Sequence, residues 1–299
     1  MTAFTVAAAQ YPVERLQAFS DYAAKIEDWI AKAKAGGASL AVFPEYGGME
    51  LTALDAGTVE DLHASIAALG PLIERVDALH ARLAAQYRIH ICAASLPVRD
   101  RDGRFRNRAR LFAPNGRSGT QRKLIMTRFE REQWDISGGE RANIFATDLG
   151  RIGIATCYDV EFPLLVRAQV EAGATLILAP SATDSMHGFH RVRVGARARA
   201  LENQCYVVQA PIVGDAEWTP SLGTSHGAAG IFGPPDLGFP ADGIVAEGAI
   251  DQPGWVFGEV DPALIHRVRR SGAVFNHAHW PEQAASITLP QVEIVDLCS

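Results

Sequence analysis

Three side chains in this sequence have the types and placements to hydrolyse an amide: Glu45 in SLAVFPEYGG, Lys123 in QRKL and Cys157 in ATCYDV. Such a reaction needs a nucleophile, a group that takes its proton and delivers it to the leaving nitrogen, and fixed positive character where the oxyanion forms. Cys157 is the candidate nucleophile, because an elbow after a buried strand exposes its sulfur and the helix N-terminus beyond favours thiolate. Lys123 is the candidate oxyanion donor, and as a fixed cation would lower the thiol pKa. Glu45 is the candidate general base and acid, a carboxylate raised toward neutrality by burial. Taken singly, the three read as an inert buried cysteine, a surface lysine and a solvated loop glutamate.

The elements around them must place all three at one edge. Leu40 to Phe43 is an unbroken apolar run, which reads as a strand covered on both faces, and Pro44 ends it. Glu45 therefore stands at a strand's carboxyl end, where open α/β sheets place their chemistry. Phe4 to Ala9 reads as a strand, and Leu16 to Lys34 as a helix with apolar residues at helical spacing, stopped by Gly36 and Gly37. A helix over Leu72 to Gln86 and a strand over Ile89 to Ser95 follow. Asp102-Gly103 and Asn115-Gly116 mark two hairpins whose strands are Phe105 to Phe112 and Gly119 to Ile125, with Lys123 near the end of the latter. The strand Ile152 to Thr156 leads to CYDVEFP, then to a helix from about Pro163 to Ala172. A long helix from about Phe189 to Asn203 and strands at Tyr206 to Ala210, Gly227 to Phe232 and Trp255 to Val260 complete the reading. GASLAVFPE (37–45) and GATLILAPS (173–181) run in parallel, either as a duplicated α/β half or as a shared local solution.

Composition narrows the class. The chain has 299 residues, of which 48% are hydrophobic and 21% charged, enough to bury a core and hold a closed site. No linker or low-complexity tract divides it, so one domain over residues 1–299 is the simpler reading. The net charge of −6 argues against a nucleic-acid partner. The one basic cluster, Arg99 to Arg110, reads as a hairpin with one solvated or interfacial charged face. Cys92, Cys157, Cys205 and Cys298 form no C-x-x-C pair, so no disulfide framework or zinc ribbon is expected, and a cytoplasmic setting fits best. Neither a signal peptide nor a membrane-spanning run is read from the sequence. His187 with His190, and His277 with His279, lack nearby carboxylates at a ligand spacing and read as unliganded surface histidines.

FPE at 43–45, RK at 122–123 and CYD at 157–159 resemble the glutamate, lysine and cysteine motifs of the nitrilase superfamily, the carbon-nitrogen hydrolases. The flanks agree: Asn107-Arg108, PNG at 114–116, MTRFEREQW at 126–134, GATLILAPS, and ARALENQCYVV at 198–208. The resemblance spans Phe4 to about Val260. It implies a four-layer αββα sandwich, assembly as a homodimer or larger homo-oligomer, and no metal or organic cofactor. It also makes Glu45, Lys123 and Cys157 a catalytic triad, with the Tyr158 N–H joining Lys123 in the oxyanion hole. The family has a second, substrate-positioning glutamate between lysine and cysteine. Glu130 and Glu132 compete for that place, and EQWDISGG favours Glu132, leaving Glu130 a surface residue. Leu164 stands where the family often has glutamate, while Arg167 keeps the arginine.

The implied activity is cleavage of a small amide, through a thioester, to a carboxylic acid and ammonia or an amine. Nitrile hydrolysis is the nearest alternative; Tyr158-Asp159 in place of Trp-Glu after the cysteine favours an amide. A non-catalytic binding protein on the same fold is the other. Thr183 to Gly188 and Trp218 to His226 are expected to recognise the substrate's far end. Tyr46, Trp134, Phe162 and Gln204 to Val208 are candidates for the pocket wall. The chain after about residue 265, including Ile287 to Leu297, is read as a tail that crosses to another subunit.

Overall fold

The computed structural model describes residues 2–284. The first half of the chain runs β1 (Phe4–Pro12), α1 (Phe19–Ala35), β2 (Ala38–Val42), α2 (Leu62–Ala68), α3 (Ile73–Tyr87), β3 (His90–Arg99), β4 (Phe105–Phe112), β5 (Ser118–Arg122) and α4 (Arg128–Glu132). The second half opens with β6 (Ile144–Thr147), β7 (Gly150–Ile154), α5 (Pro163–Glu171), β8 (Leu176–Ser181), α6 (Met186–Asn203) and β9 (Tyr206–Ala216). It closes with β10 (Gly223–Ser225), β11 (Gly230–Phe232), β12 (Ile244–Glu247), β13 (Gly254–Val260), α7 (Pro262–Ser271) and α8 (Asn276–His279).

One sheet has the order β13-β1-β2-β3-β4-β5, the other β6-β7-β8-β9-β11-β12. They are joined where Tyr11 and Pro12, at the end of β1, pair in parallel with Ile212 and Val213 of β9. The period-2 alternation of strand side chains sorts the apolar residues into layers. Val6, Ala8, Leu40 and Val42 of the first sheet share one core with Ile152, Ile154, Leu176, Leu178 and Val208 of the second. Their neighbours face outward: Ala7, Ala9 and Ala41 pack with Ile26 and Ile30 of α1 and Leu79 and Leu83 of α3. On the other side Ile177, Ala179 and Val207 pack with Val166 and Val170 of α5 and Val192 and Ala196 of α6. Both faces of each central strand are therefore buried, which is why these strands read as continuous apolar runs. Helix, sheet, sheet and helix form the four-layer αββα sandwich.

The two similar sequence stretches occupy matching places. β1-α1-β2-α3-β3 and β7-α5-β8-α6-β9 are two parallel β-α-β-α-β runs, with β2 and β8 in the middle of each. Both hairpin glycines take the left-handed backbone their turns require, Gly103 at φ 82° and Gly116 at φ 83°.

The sequence does not announce the short strands β6, β10 and β12 or the helix α2. The C-terminal stretch folds back on the chain as far as residue 284: Gln204 donates to the Val274 carbonyl at 3.0 Å, and the Arg167 guanidinium lies 4.9 Å from the centre of the Trp280 ring. Ile287 to Leu297 lie outside the described residues.

Candidate active site

Glu45, Lys123 and Cys157 come together at the bottom of a cavity of about 710 Å³, between the ends of the two sheets. Each arrives by a local device. Pro44 follows β2, and Glu45 is fixed when Tyr46, in the left-handed region at φ 54°, donates its N–H to Ser95 Oγ at 3.0 Å. Lys123 stands just beyond β5, its N–H donating to the Asn107 carbonyl and its own carbonyl accepting from Gly139, at 2.9 and 2.8 Å. A Cβ at neighbouring Gly138 would lie 2.5 Å from the Leu124 carbonyl oxygen, so only glycine lets this loop pack there.

Cys157 begins a short 3₁₀ turn, Cys157–Glu161, and α5 starts only at Pro163. The helix N-terminus expected to favour thiolate is thus one turn further along. Cys157 holds φ 48°, uncommon for a residue with a Cβ and a mark of a sterically over-determined site. Its thiol donates to the Ala182 carbonyl at 3.7 Å, beyond the end of β8. Asp159 clamps this turn to the lysine loop, accepting the N–H of Leu124 at 3.0 Å and of Ile125 at 2.8 Å.

Glu45, Lys123 and Glu130 form one buried network, which Cys157 meets through the backbone of Ala182. Lys123 Nζ donates to Glu45 Oε1 at 2.8 Å and to Glu130 Oε2 at 2.7 Å, with all three side chains at most 3% exposed. Glu45 Oε1 also accepts from Asn107 Nδ2 at 2.8 Å, and Oε2 from the Ala182 N–H at 3.1 Å. Glu130 accepts from the Tyr46 hydroxyl at 2.6 Å and from the Thr127 N–H and hydroxyl, each at 2.8 Å.

The second glutamate corrects the sequence reading. Glu132 points to solvent and pairs with Arg128 at 2.9 and 3.0 Å, whereas Glu130, expected at the surface, touches Lys123. The reason lies in the cap of α4. Thr127 and Glu130 form a capping box, which turns the Glu130 side chain back toward the lysine loop; Glu132, two residues on, faces away. The signal was present as T-R-F-E.

Asn107 is the other residue that sequence reasoning left out of the site, hidden in an arginine-rich hairpin. It shares a strand face with Ala109 and Leu111, which enter the core between the sheets. Tyr46 and Trp134 line the cavity, as do Thr183, Asp184 and Gly188 and the segment 220–225. Tyr158 lines it too, but Phe162 stacks edge-on against the Tyr158 ring, and Gln204 to Val208 lie away from it. Leu164 is 70% exposed, so a carboxylate there would meet water.

Burial sets the electrostatics. It pushes the Glu45 carboxyl up to about 7, with Lys123 opposing the rise and Glu130 adding to it. Burial acts upward on Glu130 as well, but Lys123 and the hydrogen bonds from Lys123, Tyr46 and the Thr127 N–H outweigh it and hold Glu130 below the usual carboxylate range. Lys123 loses by burial and gains more from the two glutamates, so it stays charged. The Cys157 thiol is pushed well above its ordinary value, first by burial and next by Glu45, with Lys123 opposing. The sequence expectation of a lowered thiol pKa is therefore reversed. At rest this is a neutral thiol beside a carboxylate poised near neutrality, with a permanent cation alongside: groups able to serve as a proton acceptor, a latent nucleophile and a fixed positive charge, gathered in one buried cluster.

Among the described residues no three His, Cys, Asp or Glu side chains converge as a metal-binding group, and no helix is long and apolar enough to cross a membrane.

The chain is 34% identical to the probable hydrolase YhcX of Bacillus subtilis over 89% of its own length and 51% of that protein's. It is also 34% identical to the deaminated glutathione amidase of Bos taurus, over 48% of this chain and 40% of that enzyme. The chain thus spans about half the length, or less, of these curated relatives. The crystal structure of a carbon-nitrogen hydrolase from Helicobacter pylori superposes with a TM-score of 0.73 at 20% identity, covering 95% of each chain, and shares the fold. The carbon-nitrogen hydrolase family model matches residues 5–270, and with most of the chain so matched, the protein belongs to the carbon-nitrogen hydrolase family.

Proposed function

We propose that the protein is a cysteine-dependent amidase, cleaving a small amide to a carboxylic acid and ammonia or an amine. The observation that carries this reading is the buried contact of Lys123 with Glu45 and Glu130 in the cavity that Cys157 also lines. Glu45 accepts the Cys157 proton as Sγ attacks the amide carbonyl carbon. The carbonyl π electrons move to oxygen, and Lys123 with the Tyr158 N–H stabilises the oxyanion. When the intermediate collapses, the carbon-nitrogen bond breaks, and Glu45 returns the proton to the departing nitrogen. Glu45 then takes a proton from water, which attacks the thioester; the acid leaves and Sγ regains a proton. Glu130 is the positioning residue, holding Lys123 at the height of the oxyanion.

A raised thiol pKa suits this scheme. Proton transfer to Glu45 and sulfur attack proceed together, so the site need not store a buried thiolate. A deaminated glutathione amidase among the relatives supports an amide substrate. The reading includes the cytoplasm as the compartment and a homo-oligomer as the assembly.

Ammonia release from simple amides, omega-amides, carbamoyl amino acids and nitriles, run beside Cys157→Ala, tests the assignment. Turnover of an amide class that vanishes in the variant is expected. Turnover of nitriles alone would replace the amidase reading with a nitrilase one. No release from any compound, with wild type and variant alike, would favour a binding protein.

A further inference from the structure

One charged pair in the cavity has no part in the scheme above. Glu161 closes the 3₁₀ turn that Cys157 opens, and Arg191 lies on α6 across from it; both line the cavity. Their closest approach is 3.7 Å, from Arg191 Nε to Glu161 Oε1, too long for a hydrogen bond. The Glu161 side chain is only 19% exposed and the Arg191 side chain 61%. Neither makes a side-chain hydrogen bond among the described residues, although a mostly buried carboxylate without donors is costly.

The other charges at the rim are engaged. Arg128 is held by two hydrogen bonds to Glu132, and Asp184 accepts from Ser185 Oγ at 3.2 Å. Glu161 and Arg191 are therefore an open pair of opposite sign, one inside the cleft and one at its mouth, with hydrogen-bonding capacity unspent. Burial raises Glu161, while Arg191 and Lys123 pull it the other way. Close packing fixes the spacing: a Cβ at Gly195 of α6 would lie 3.1 Å from the Val160 carbonyl oxygen, and glycine there lets the helix sit directly on the turn.

Resting on the amidase reading, we infer that Glu161 and Arg191 form a head-group subsite for a zwitterionic amide, Glu161 taking an ammonium and Arg191 a carboxylate. An α-amino-acid head carries both charges on one carbon, a few ångströms apart, and docked alongside the pair from the cavity side it would give each residue a charge-assisted hydrogen bond that their own long contact does not supply. A purely anionic or cationic amide would satisfy one residue and leave the other facing a like or absent charge. Selection then comes from the unpaired member as much as from the paired one.

Binding to Cys157→Ala protein, measured by calorimetry, separates this inference from the amidase assignment because it needs no turnover. The probes are propionamide, succinamic acid, 3-aminopropionamide and asparagine. Asparagine is expected to bind more tightly than propionamide, by about tenfold or more for two charge-assisted contacts. Adding Glu161→Gln should cut the asparagine-to-propionamide affinity ratio about tenfold and penalise 3-aminopropionamide. Adding Arg191→Gln should do the same and penalise succinamic acid. Equal affinities across the four probes, or ratios unmoved by either substitution, overturn the subsite. Wild-type protein that shows the charge-dependent binding but hydrolyses none of the probes leaves the subsite standing and counts against the amidase reading.

Discussion

The Tyr46 hydroxyl donates a 2.6 Å hydrogen bond to Glu130, so the residue that follows one carboxylate of the site in sequence holds the other in space. The bond ties the turn after β2 to the start of α4. Tyr46→Phe keeps the ring against Trp134 and removes only this donor. Loss of a buried hydrogen bond to a charged group should cost about 1.5–3 kcal/mol of unfolding free energy in urea. It should also lower kcat more than it raises KM, since Lys123 then has a looser anchor. Unchanged kcat would detach Glu130 from Lys123 positioning.

Glu130 and Glu132 should separate cleanly. Glu130→Gln removes one of two carboxylates that compensate a buried ammonium, and breaking a buried pair of this kind typically costs about 3–5 kcal/mol. Because Glu45 still pairs with Lys123, a loss toward the lower end of that range is expected, with a large fall in kcat. Glu132→Gln should leave both turnover and the urea midpoint at wild-type values, because its carboxylate stands in water beside Arg128. A Glu132→Gln enzyme as impaired as Glu130→Gln would restore the reading drawn from sequence spacing.

The pH profile follows from Glu45. As the proposed proton acceptor it must be ionised in the free enzyme, and burial places its titration at about 7. kcat/KM should therefore rise with pH through neutrality and level off above it. The stability sign is opposite. A carboxyl whose folded pKa exceeds its unfolded one contributes stability that is full below the unfolded value and is lost as pH rises through the folded value. Glu45→Gln should lose the rising limb of activity and also remove a fall in unfolding free energy between about pH 4.5 and 7. An activity profile flat from pH 5 to 9 in the wild type would rule out Glu45 as the group that takes the proton.

Asp159 offers a test of how the lysine and cysteine segments are held in register. Asp159→Ala leaves the Leu124 and Ile125 N–H groups without their acceptor, at about 1–3 kcal/mol for each group that water cannot reach. Urea unfolding should record that loss. Activity should fall even where the variant is fully folded at low temperature, because Lys123 no longer has a fixed distance to the sulfur.

Cysteine reactivity provides an orthogonal check. Cys157 opens into the cavity, whereas Cys92 and Cys205 are wholly buried, with thiols pushed by burial to about 12. Iodoacetamide, itself an amide, should modify Cys157 in native protein and reach Cys92 and Cys205 only after unfolding, as read by peptide mass spectrometry. Modification should slow in Glu45→Gln, where no neighbouring base takes the thiol proton. Equal rates at Cys157 and Cys205 in native protein would make the pocket structural.

Much of this was legible from residue order. The apolar runs around Leu40 and Leu178 marked strands buried on both faces, and Pro44 and the Cys157 turn marked where the chain leaves the sheets. The four layers came from family resemblance, because strand periodicity says which face a side chain takes but not whether helix or sheet covers it. Glu130 was misread because the spacing to the Gly138-Gly139 pair was weighed above helix capping. The expectation for the Cys157 thiol failed for a different reason. A helix N-terminus and a lysine both favour thiolate, but burial and a nearby carboxylate are tertiary facts that outweigh them. Asn107 was missed because alternation in its hairpin is set by arginines that face Asp77 and Asp100.

The seam between the sheets has one more consequence. Glu45 is delivered by the first sheet and the Ala182 peptide by the second, and the two meet at 3.1 Å just past the β1–β9 splice. Neither half of the sandwich owns the proposed reaction centre. A slip of one sheet over the other by a single residue, about 3.3 Å, would pull the carboxylate off Ala182, whose N–H supports it and whose carbonyl holds the sulfur. On the proposed mechanism turnover is a gauge of alignment between the two sheets, and it should disappear on heating before the secondary structure does.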